Sequence, residues 1–287
     1  MELVAPATFL YAYTTSPLSY YDPPLPALTS PQSIIAGLFL LHYANRALIN
    51  PLRTPSRSKS HIIVPLMAVL FNTVNGLLQG SYLSSPYARM FLTEPYTFQR
   101  TSFYVGLGLW LIGFVGNIAH DEILLNIRRK ANAKGKGKDN NGDNNNNNTN
   151  NTNNTNNGNA KPNGSRPTKE HYAIPCGLLY KFVSYPNYFC EWIEWFGFAL
   201  AAAPLPLEPS VSGLVKASLN IFSVKTVQSI LFNPARFFAP TLAPPYIFFI
   251  CEILLMLPRA YNGHKWYKKT FGDSYPKERK AVIPFVL

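Results

Sequence analysis

The chain has 287 residues, of which 47% are hydrophobic and 14% aromatic, while only 14% are charged. Soluble domains carry about 25% charged residues, so this composition excludes an ordinary soluble domain and favours a membrane protein. The formal charge is +12, but no nucleic-acid recognition motif accompanies the basic residues, and three cysteines without metal-site spacing indicate neither disulfides nor a metal centre.

Apolar runs long enough to cross a bilayer recur along the chain. A spanning helix needs about 20 predominantly apolar residues, and this criterion predicts an all-α integral membrane protein with about six transmembrane helices in one bundle. The runs are approximately 3–18, 32–50, 61–83, 101–120, 188–207 and 241–258, with a candidate additional membrane-embedded segment at 211–232.

The distribution of Lys and Arg predicts the orientation. If both termini are cytosolic, 20 of the 26 basic residues fall in cytosolic connections and five in the opposite loops. Cytosolic loops of membrane proteins carry such an excess. We therefore attribute the positive charge mainly to topology, with attraction to anionic headgroups or to a phosphorylated cofactor as a secondary consequence.

An asparagine-rich tract at 140–159 interrupts the apolar sequence. It has almost nothing to bury, so we predict a disordered cytosolic loop at 131–170. This loop separates N-terminal transmembrane helices at 1–130 from a C-terminal region at 171–287. Its N-x-S/T sequons are Asn147, Asn150, Asn153 and Asn163. We predict that they are unmodified, because glycosylation requires a lumenal loop.

Polar residues inside the second and third runs are functional candidates, since such groups are costly in a bilayer. In LHYANR, Tyr43 and Arg46 lie three residues apart on one helix face. In NGLLQG, Asn75 and Gln79 share a face. Interfacial snorkelling explains the first pair about as well as a ligand site does, and interhelical hydrogen bonds explain the second pair about as well.

The fourth run ends in GNIAHDEILLNIRRK. Asn117 and Asp121 are four residues apart, and Arg128 lies two turns beyond, so one stripe offers an amide, a carboxylate and a guanidinium. Such a stripe suits ribose hydroxyls and phosphates. An ordinary positively charged stop at the cytosolic edge explains the arginine as well, but it does not explain Asp121.

Residues 171–195 form a loop followed by an apolar helix that carries two acids. Asn187, Glu191 and Glu194 have the spacing of one helix face, and Asn187 is predicted to cap the helix. A buried ion pair with Arg128 or Arg259 is the structural alternative, although such a pair also requires a polar interior.

The last run continues into a basic, aromatic segment. His264 and Tyr267 lie three residues apart, and the tail ends apolar. The motifs of soluble dinucleotide-binding and hydrolase folds do not occur in the sequence.

The segments LHYANR, NGLLQG, GNIAHDEILLNIR, YAIPCGLLYKFVSYPNYFCEWIEW and HKWYKKTFGDSYPKERKAVIPFVL resemble, in order and spacing, the steroid 5α-reductase family, in a form that looks fungal. The resemblance implies a multi-pass endoplasmic-reticulum enzyme that uses NADPH to reduce a C=C bond conjugated to a carbonyl in a lipid, above all a 3-oxo-4-ene steroid. The family has one more transmembrane helix at the N-terminus, so the resemblance leads us to expect a chain truncated by one span.

The resemblance also implies roles for individual residues. Tyr43 corresponds to the tyrosine that holds the substrate carbonyl, and Glu2 aligns with its glutamate partner. Cys190 and Leu178 stand where the family has glycines. The implied cofactor residues are Asn117, Asp121, Arg128, Tyr172, Asn187, Glu191, Arg259, His264 and Tyr267.

Other functions remain open at this stage. Reduction of a polyprenal or of a very-long-chain enoyl-CoA uses related chemistry. Isoprenylcysteine-type methyltransferases, which use S-adenosylmethionine, have a similar C-terminal turn and helix. A non-catalytic membrane relative is the remaining alternative, because two glycine positions differ and one helix is expected to be missing.

Overall fold

The computed structural model describes residues 1–20, 23–54, 61–139, 173–204, 224 and 243–287, with only the backbone for 132–139. Within these residues the secondary structure is helical, apart from one isolated bridge. The α-helices are α1 (Val4–Thr15), α2 (Pro31–Ala44), α3 (Asn50–Arg53), α4 (Ile63–Ser84), α5 (Pro86–Phe91), α6 (Glu94–Thr97), α7 (Thr101–Asp139), α8 (Pro186–Ala202) and α9 (Pro244–Phe271). The predicted all-α class is confirmed for these residues.

Each of the six predicted apolar runs contains a helix, and two of these helices extend beyond the run. Helix α7 continues well beyond residue 120 into the predicted loop, and α9 continues through Pro258. Among the described residues, Ile63–Ser84 and Thr101–Ala131 are long and apolar enough by themselves to cross a bilayer. The total of about six spans therefore stays a prediction. The segment 211–232, except Val224, and the tract 140–159 lie outside the described residues.

A π-helical turn extends α2 toward the cytosolic side of the predicted topology. Ser30 caps α2 by accepting a hydrogen bond from the Ser33 amide, and Pro31 supplies the favoured first residue. The turn at Asn45–Ile49 then joins α2 to α3 without a break. Such turns are rare and often lie at functional sites. This one carries Arg46.

Small residues allow the helices to approach each other closely. A Cβ at Gly76 or Gly80 of α4 would overlap the α1 backbone at Ala5 or Phe9. Close backbone contact at small residues is a common way for membrane helices to associate. It fixes the position of the α4 face that carries Asn75 and Gln79.

Helices α7 and α8 also approach each other closely at glycines. A Cβ at Gly106 would lie 2.7 Å from the Gly197 carbonyl oxygen, and one at Gly113 would lie 2.5 Å from the Cys190 carbonyl oxygen. Because the two backbones are so close, the polar stripes predicted on these helices face each other at short range. The register of α7 against α8 therefore positions the site.

The C-terminal tail holds the loop that precedes α8. Val183 and Lys280 form the parallel bridge, and the Tyr185 amide donates to the Ala281 carbonyl at 3.0 Å. Arg279 is buried and donates to the Pro175 carbonyl at 3.2 Å. These backbone bonds set the point at which α8 begins.

Candidate functional site

A cavity of about 650 Å³ opens between the N-terminus, the π-helical turn after α2, and helices α3, α4, α7, α8 and α9. Five of the sequence-predicted site residues meet at its wall. They are Glu2, Asp121, Arg128, Asn187 and Arg259. Arg46, Asn50, Thr54, Tyr185 and Tyr188 complete the polar and aromatic part of the wall. The predicted stripes thus come together around one space, although they lie far apart in the sequence.

Asp121 receives hydrogen bonds from two amides. Asn187 donates to one carboxylate oxygen at 3.1 Å and Asn50 to the other at 3.3 Å. Helix α8 begins at Pro186, with Tyr185 at the cap position, so the prediction that Asn187 caps α8 is wrong. Its side chain reaches across to α7 instead. The buried oxygen of the Asn187 amide has no partner among the residues that the structure describes.

Arg46 joins two acids. Its Nε lies 3.6 Å from Glu2 Oε1, and a terminal guanidinium nitrogen lies 3.5 Å from Glu191 Oε2. Asn117 donates to the same Glu191 oxygen at 3.0 Å. Glu191 is almost completely buried. Arg46 and Asn117 are therefore the polar groups that contact its carboxylate oxygen Oε2 in place of water. Two of the predicted cofactor residues, Asn117 and Glu191, therefore reach the cavity through Arg46.

His42 and Glu194 form a buried pair behind this network. His42 Nδ1 lies 2.7 Å from Glu194 Oε1, and His42 Nε2 lies 4.0 Å from Glu191 Oε1. The imidazole packs on Trp195 at 4.6 Å between ring centroids. Sequence reasoning did not select His42. Its place beside Tyr43 in LHYANR was the available signal, but the distant partner Glu194 could not be identified from spacing.

Tyr43 is buried among Phe39, His42 and Trp195. Its phenol oxygen accepts a hydrogen bond from Asn75 at 2.9 Å, and it is not among the residues that line the cavity. In this structure Glu2 is paired with Arg46 and not with Tyr43. The roles expected for Tyr43 and Glu2 stay predictions.

His264 and Tyr267 lie in a separate cluster against the C-terminal tail. Ser184 Oγ is 2.5 Å from His264 Nδ1 and 2.6 Å from the Tyr275 hydroxyl. Tyr267 stacks on Tyr275 and packs edge-on against Tyr185 of the cavity wall. Tyr185 therefore relates these predicted cofactor residues to the cavity. Tyr172 lies outside the described residues.

Burial disfavours charge of either sign on His264 and Tyr185. Burial lowers the pKa of His264 to about 4, and the cations Lys268, Arg279 and Lys280 act in the same direction. Burial also raises the pKa of Tyr185 well above its usual range, with the nearby tyrosines adding to the effect. Both side chains are therefore neutral at physiological pH.

The two residues expected to replace glycines have different consequences. Cys190 packs into space left by Gly116, where an added Cβ would lie 2.8 Å from the thiol sulfur. Leu178 follows Gly177 and adopts φ +46 with an exposed side chain. A left-handed backbone costs a residue with a side chain about 1–2 kcal/mol. The turn before α8 therefore has a backbone conformation that favours glycine, although leucine occupies the position.

Comparison with known proteins identifies the family. The sequence matches the family described as 3-oxo-5-alpha-steroid 4-dehydrogenase over residues 58–137, 159–209 and 235–287. An uncharacterized protein of Schizosaccharomyces pombe is 37% identical over 297 residues, which cover 100% of this chain and 82% of the relative. The 3-oxo-5-alpha-steroid 4-dehydrogenase 1 of Rattus norvegicus is 30% identical over 259 residues, covering 90% and 68%.

A plant relative gives a similar match. The steroid 5-alpha-reductase DET2 of Solanum lycopersicum is 28% identical over 256 residues, which cover 88% of this chain and 68% of the relative. The family match spans most of the described helices and includes the cavity residues of α7, α8 and α9. The chain therefore belongs to the 3-oxo-5-alpha-steroid 4-dehydrogenase family, an integral membrane family of oxidoreductases.

Proposed function

We propose that this chain uses NADPH to reduce a C=C bond conjugated to a carbonyl, with a 3-oxo-4-ene steroid as its substrate class. The observation that carries the proposal is the meeting of Asp121, Asn187, Arg128 and Arg259 at one cavity. The names of the rat and tomato relatives support the steroid assignment. We further propose a multi-pass location in the endoplasmic-reticulum membrane, with both termini and the tract 140–159 cytosolic.

The chemistry of the cavity wall fits a phosphorylated dinucleotide. Arg128 and Arg259 can hold phosphate groups through paired N–H donors. Asp121 can accept hydrogen bonds from ribose hydroxyls, and the unpaired oxygen of Asn187 offers a further acceptor. When bound, NADPH would supply the hydride for the β-carbon of the enone, and a proton from solvent would complete the reduction at the α-carbon. Tyr172, His264 and Tyr267 are assigned to the cofactor by the family resemblance.

The substrate carbonyl is assigned to Tyr43 and Glu2. Tyr43 donates its phenol hydrogen to the carbonyl oxygen as negative charge develops there, and a fixed donor at such a position stabilises the transition state. Phe39 and Trp195 surround Tyr43 with apolar atoms and strengthen this interaction by excluding water. The Glu2 side chain is 40% exposed and borders the cavity. Its position is therefore less restricted by packing than that of the buried Tyr43.

The activity is tested with the full chain in microsomes. NADPH consumption is measured with a 4-ene-3-one steroid, a polyprenal and an enoyl-CoA, together with product identification. We expect reduction of the steroid and a large loss of kcat in Tyr43→Phe, with the Kd for NADPH unchanged. Loss of NADPH binding in Tyr43→Phe would contradict the assigned role.

Three further results would replace the proposal. Reduction of the polyprenal or the enoyl-CoA without the steroid would move the assignment to another lipid substrate. Binding of S-adenosylmethionine with no NADPH binding would favour the methyltransferase alternative. Absence of all these activities would leave a non-catalytic relative.

A further inference from the structure

Asn75 connects the middle of α4 to Tyr43 on α2. Its amide nitrogen lies 2.9 Å from the phenol oxygen, and both residues are buried. Gly76 and Gly80 hold α4 in close contact with α1, so the position of the amide is set by backbone packing. The proposed function assigns no role to Asn75.

A phenol has one hydrogen to donate and lone pairs that accept. When Asn75 donates its N–H to Tyr43, the phenol hydrogen remains available for another acceptor. If the amide were reversed, its oxygen would take the phenol hydrogen. The orientation of one amide therefore decides whether Tyr43 can donate to a carbonyl.

We propose that Asn75 is a positioning residue that reserves the Tyr43 hydrogen for the substrate carbonyl. This inference rests on the proposed function. The Asn75 N–H also stabilises the negative charge that grows on the phenol oxygen as its hydrogen is shared with the developing enolate. Asn75 acts through Tyr43 and does not touch the reacting atoms.

The hydrogen bonding of α4 supports a specific role. The Asn75 amide oxygen is buried and has no partner among the described residues, a state that costs free energy. Asn72, one turn earlier, bonds the Ala68 carbonyl of its own helix at 2.7 Å. A buried asparagine of α4 can thus form its hydrogen bond within its own helix, whereas Asn75 donates its N–H to Tyr43 on another helix.

The test uses the full chain in microsomes and four variants. Asn75→Leu removes the amide at similar size, Asn75→Asp replaces the donor with an acceptor, and Asn75→Gln keeps a donor on a longer side chain. Asn72→Leu is the matched control on the same helix. We measure kcat and KM for a 4-ene-3-one steroid and the Kd for NADPH.

We expect Asn75→Leu and Asn75→Asp to lower kcat by roughly 10-fold to 100-fold, less than the loss of a donor that touches the oxyanion directly. Asn75→Gln should recover part of this loss, Asn72→Leu should change kcat less than about threefold, and all four should bind NADPH normally. A normal kcat in Asn75→Leu, or an equal loss in Asn72→Leu, would overturn the inference.

A double-mutant cycle separates positioning from general packing. In the Tyr43→Phe background, Asn75→Leu should cause little further loss, because residues that act as one unit are not additive. A further loss by the same factor would show that Asn75 acts independently of Tyr43. If the wild-type chain reduces no enone, the proposed function falls and this inference with it. If the wild type is active and the cycle is additive, this inference alone fails.

Discussion

Asn117 on α7 donates a hydrogen bond of 3.0 Å to the carboxylate of Glu191 on α8. Arg46, from the π-helical turn after α2, lies 3.5 Å from the same oxygen. Three parts of the chain thus share one buried acid. Because Arg46 belongs to the cavity wall, Glu191 controls the position of a cation in that wall without lining the cavity.

Glu191→Gln should weaken NADPH binding by about 10-fold. The change keeps the size of the side chain but leaves Arg46 with less of its compensating charge, and breaking a buried pair costs several kcal/mol when both partners are enclosed. The Arg46 side chain is 32% exposed, so we expect a smaller effect. A fluorescence titration of the solubilised protein with NADPH measures it.

Glu194→Gln is the matched control, since it lies one turn further along α8. This acid contacts His42 and not Arg46 at hydrogen-bond distance. The variant should lower thermal stability, because Glu194 is buried, but should change the Kd for NADPH by less than about threefold (about 0.6 kcal/mol), because Glu194 does not line the cavity. Equal effects of the two variants on the Kd would mean that both acids serve the cofactor.

Gly113→Ala should destabilise the protein by about 1–3 kcal/mol, the usual cost of overpacking. The added Cβ would overlap the backbone of α8 at Cys190 and Glu194, so α7 and α8 must separate. Gly108→Ala on the same helix meets no atom within 4 Å, and alanine is favoured over glycine in a helix by about 1 kcal/mol. Thermal unfolding in detergent should rank Gly108→Ala above the wild type and Gly113→Ala below it. The reverse order would refute the close α7–α8 contact.

Acid should release the C-terminal tail through His264. Its pKa is about 4 in the folded protein and about 6.5 in an unfolded chain. The unfolded chain therefore binds more protons between these values, and stability is lost as the pH falls through this window. Limited proteolysis of the tail at pH 7 and pH 5 measures the effect.

The control for this prediction removes the titrating group. His264→Gln should make tail proteolysis less dependent on pH, whereas the same change at the exposed His61 should leave the dependence as in the wild type. Acid sensitivity that persists in His264→Gln would assign it to another group.

The proposed topology leaves the asparagine tract without glycans. In microsomes the wild-type chain should show no mass shift on glycosidase treatment, although its sequons include Asn147 and Asn150. Ala27→Asn creates a sequon with Thr29 in an exposed loop between α1 and α2, which the topology places in the lumen. That variant should gain a glycosidase-sensitive mass. A shift in the wild type, with none added by Ala27→Asn, would invert the orientation.

The sequence alone determined the helical class and the contents of each polar stripe. The spacing of Asn117 and Asp121, and that of Asn187 and Glu191, fixes neighbours within a helix because an α-helix repeats every 3.6 residues. These residues do lie on facing surfaces of α7 and α8. The ends of α7 and α9 were less predictable, because their polar extensions remain helical after the apolar pattern stops.

Only the tertiary structure decided which partner each group has. Glu191 meets Arg46, Glu194 meets His42, and Tyr43 meets Asn75. Each pair joins two helical segments, so it depends on the distance between them and on their rotation; for Arg46, the π-helical turn after α2 contributes to that rotation. Periodicity within one helix carries no information about these quantities, and for that reason the partners of the two acids on α8 became visible only in the folded chain.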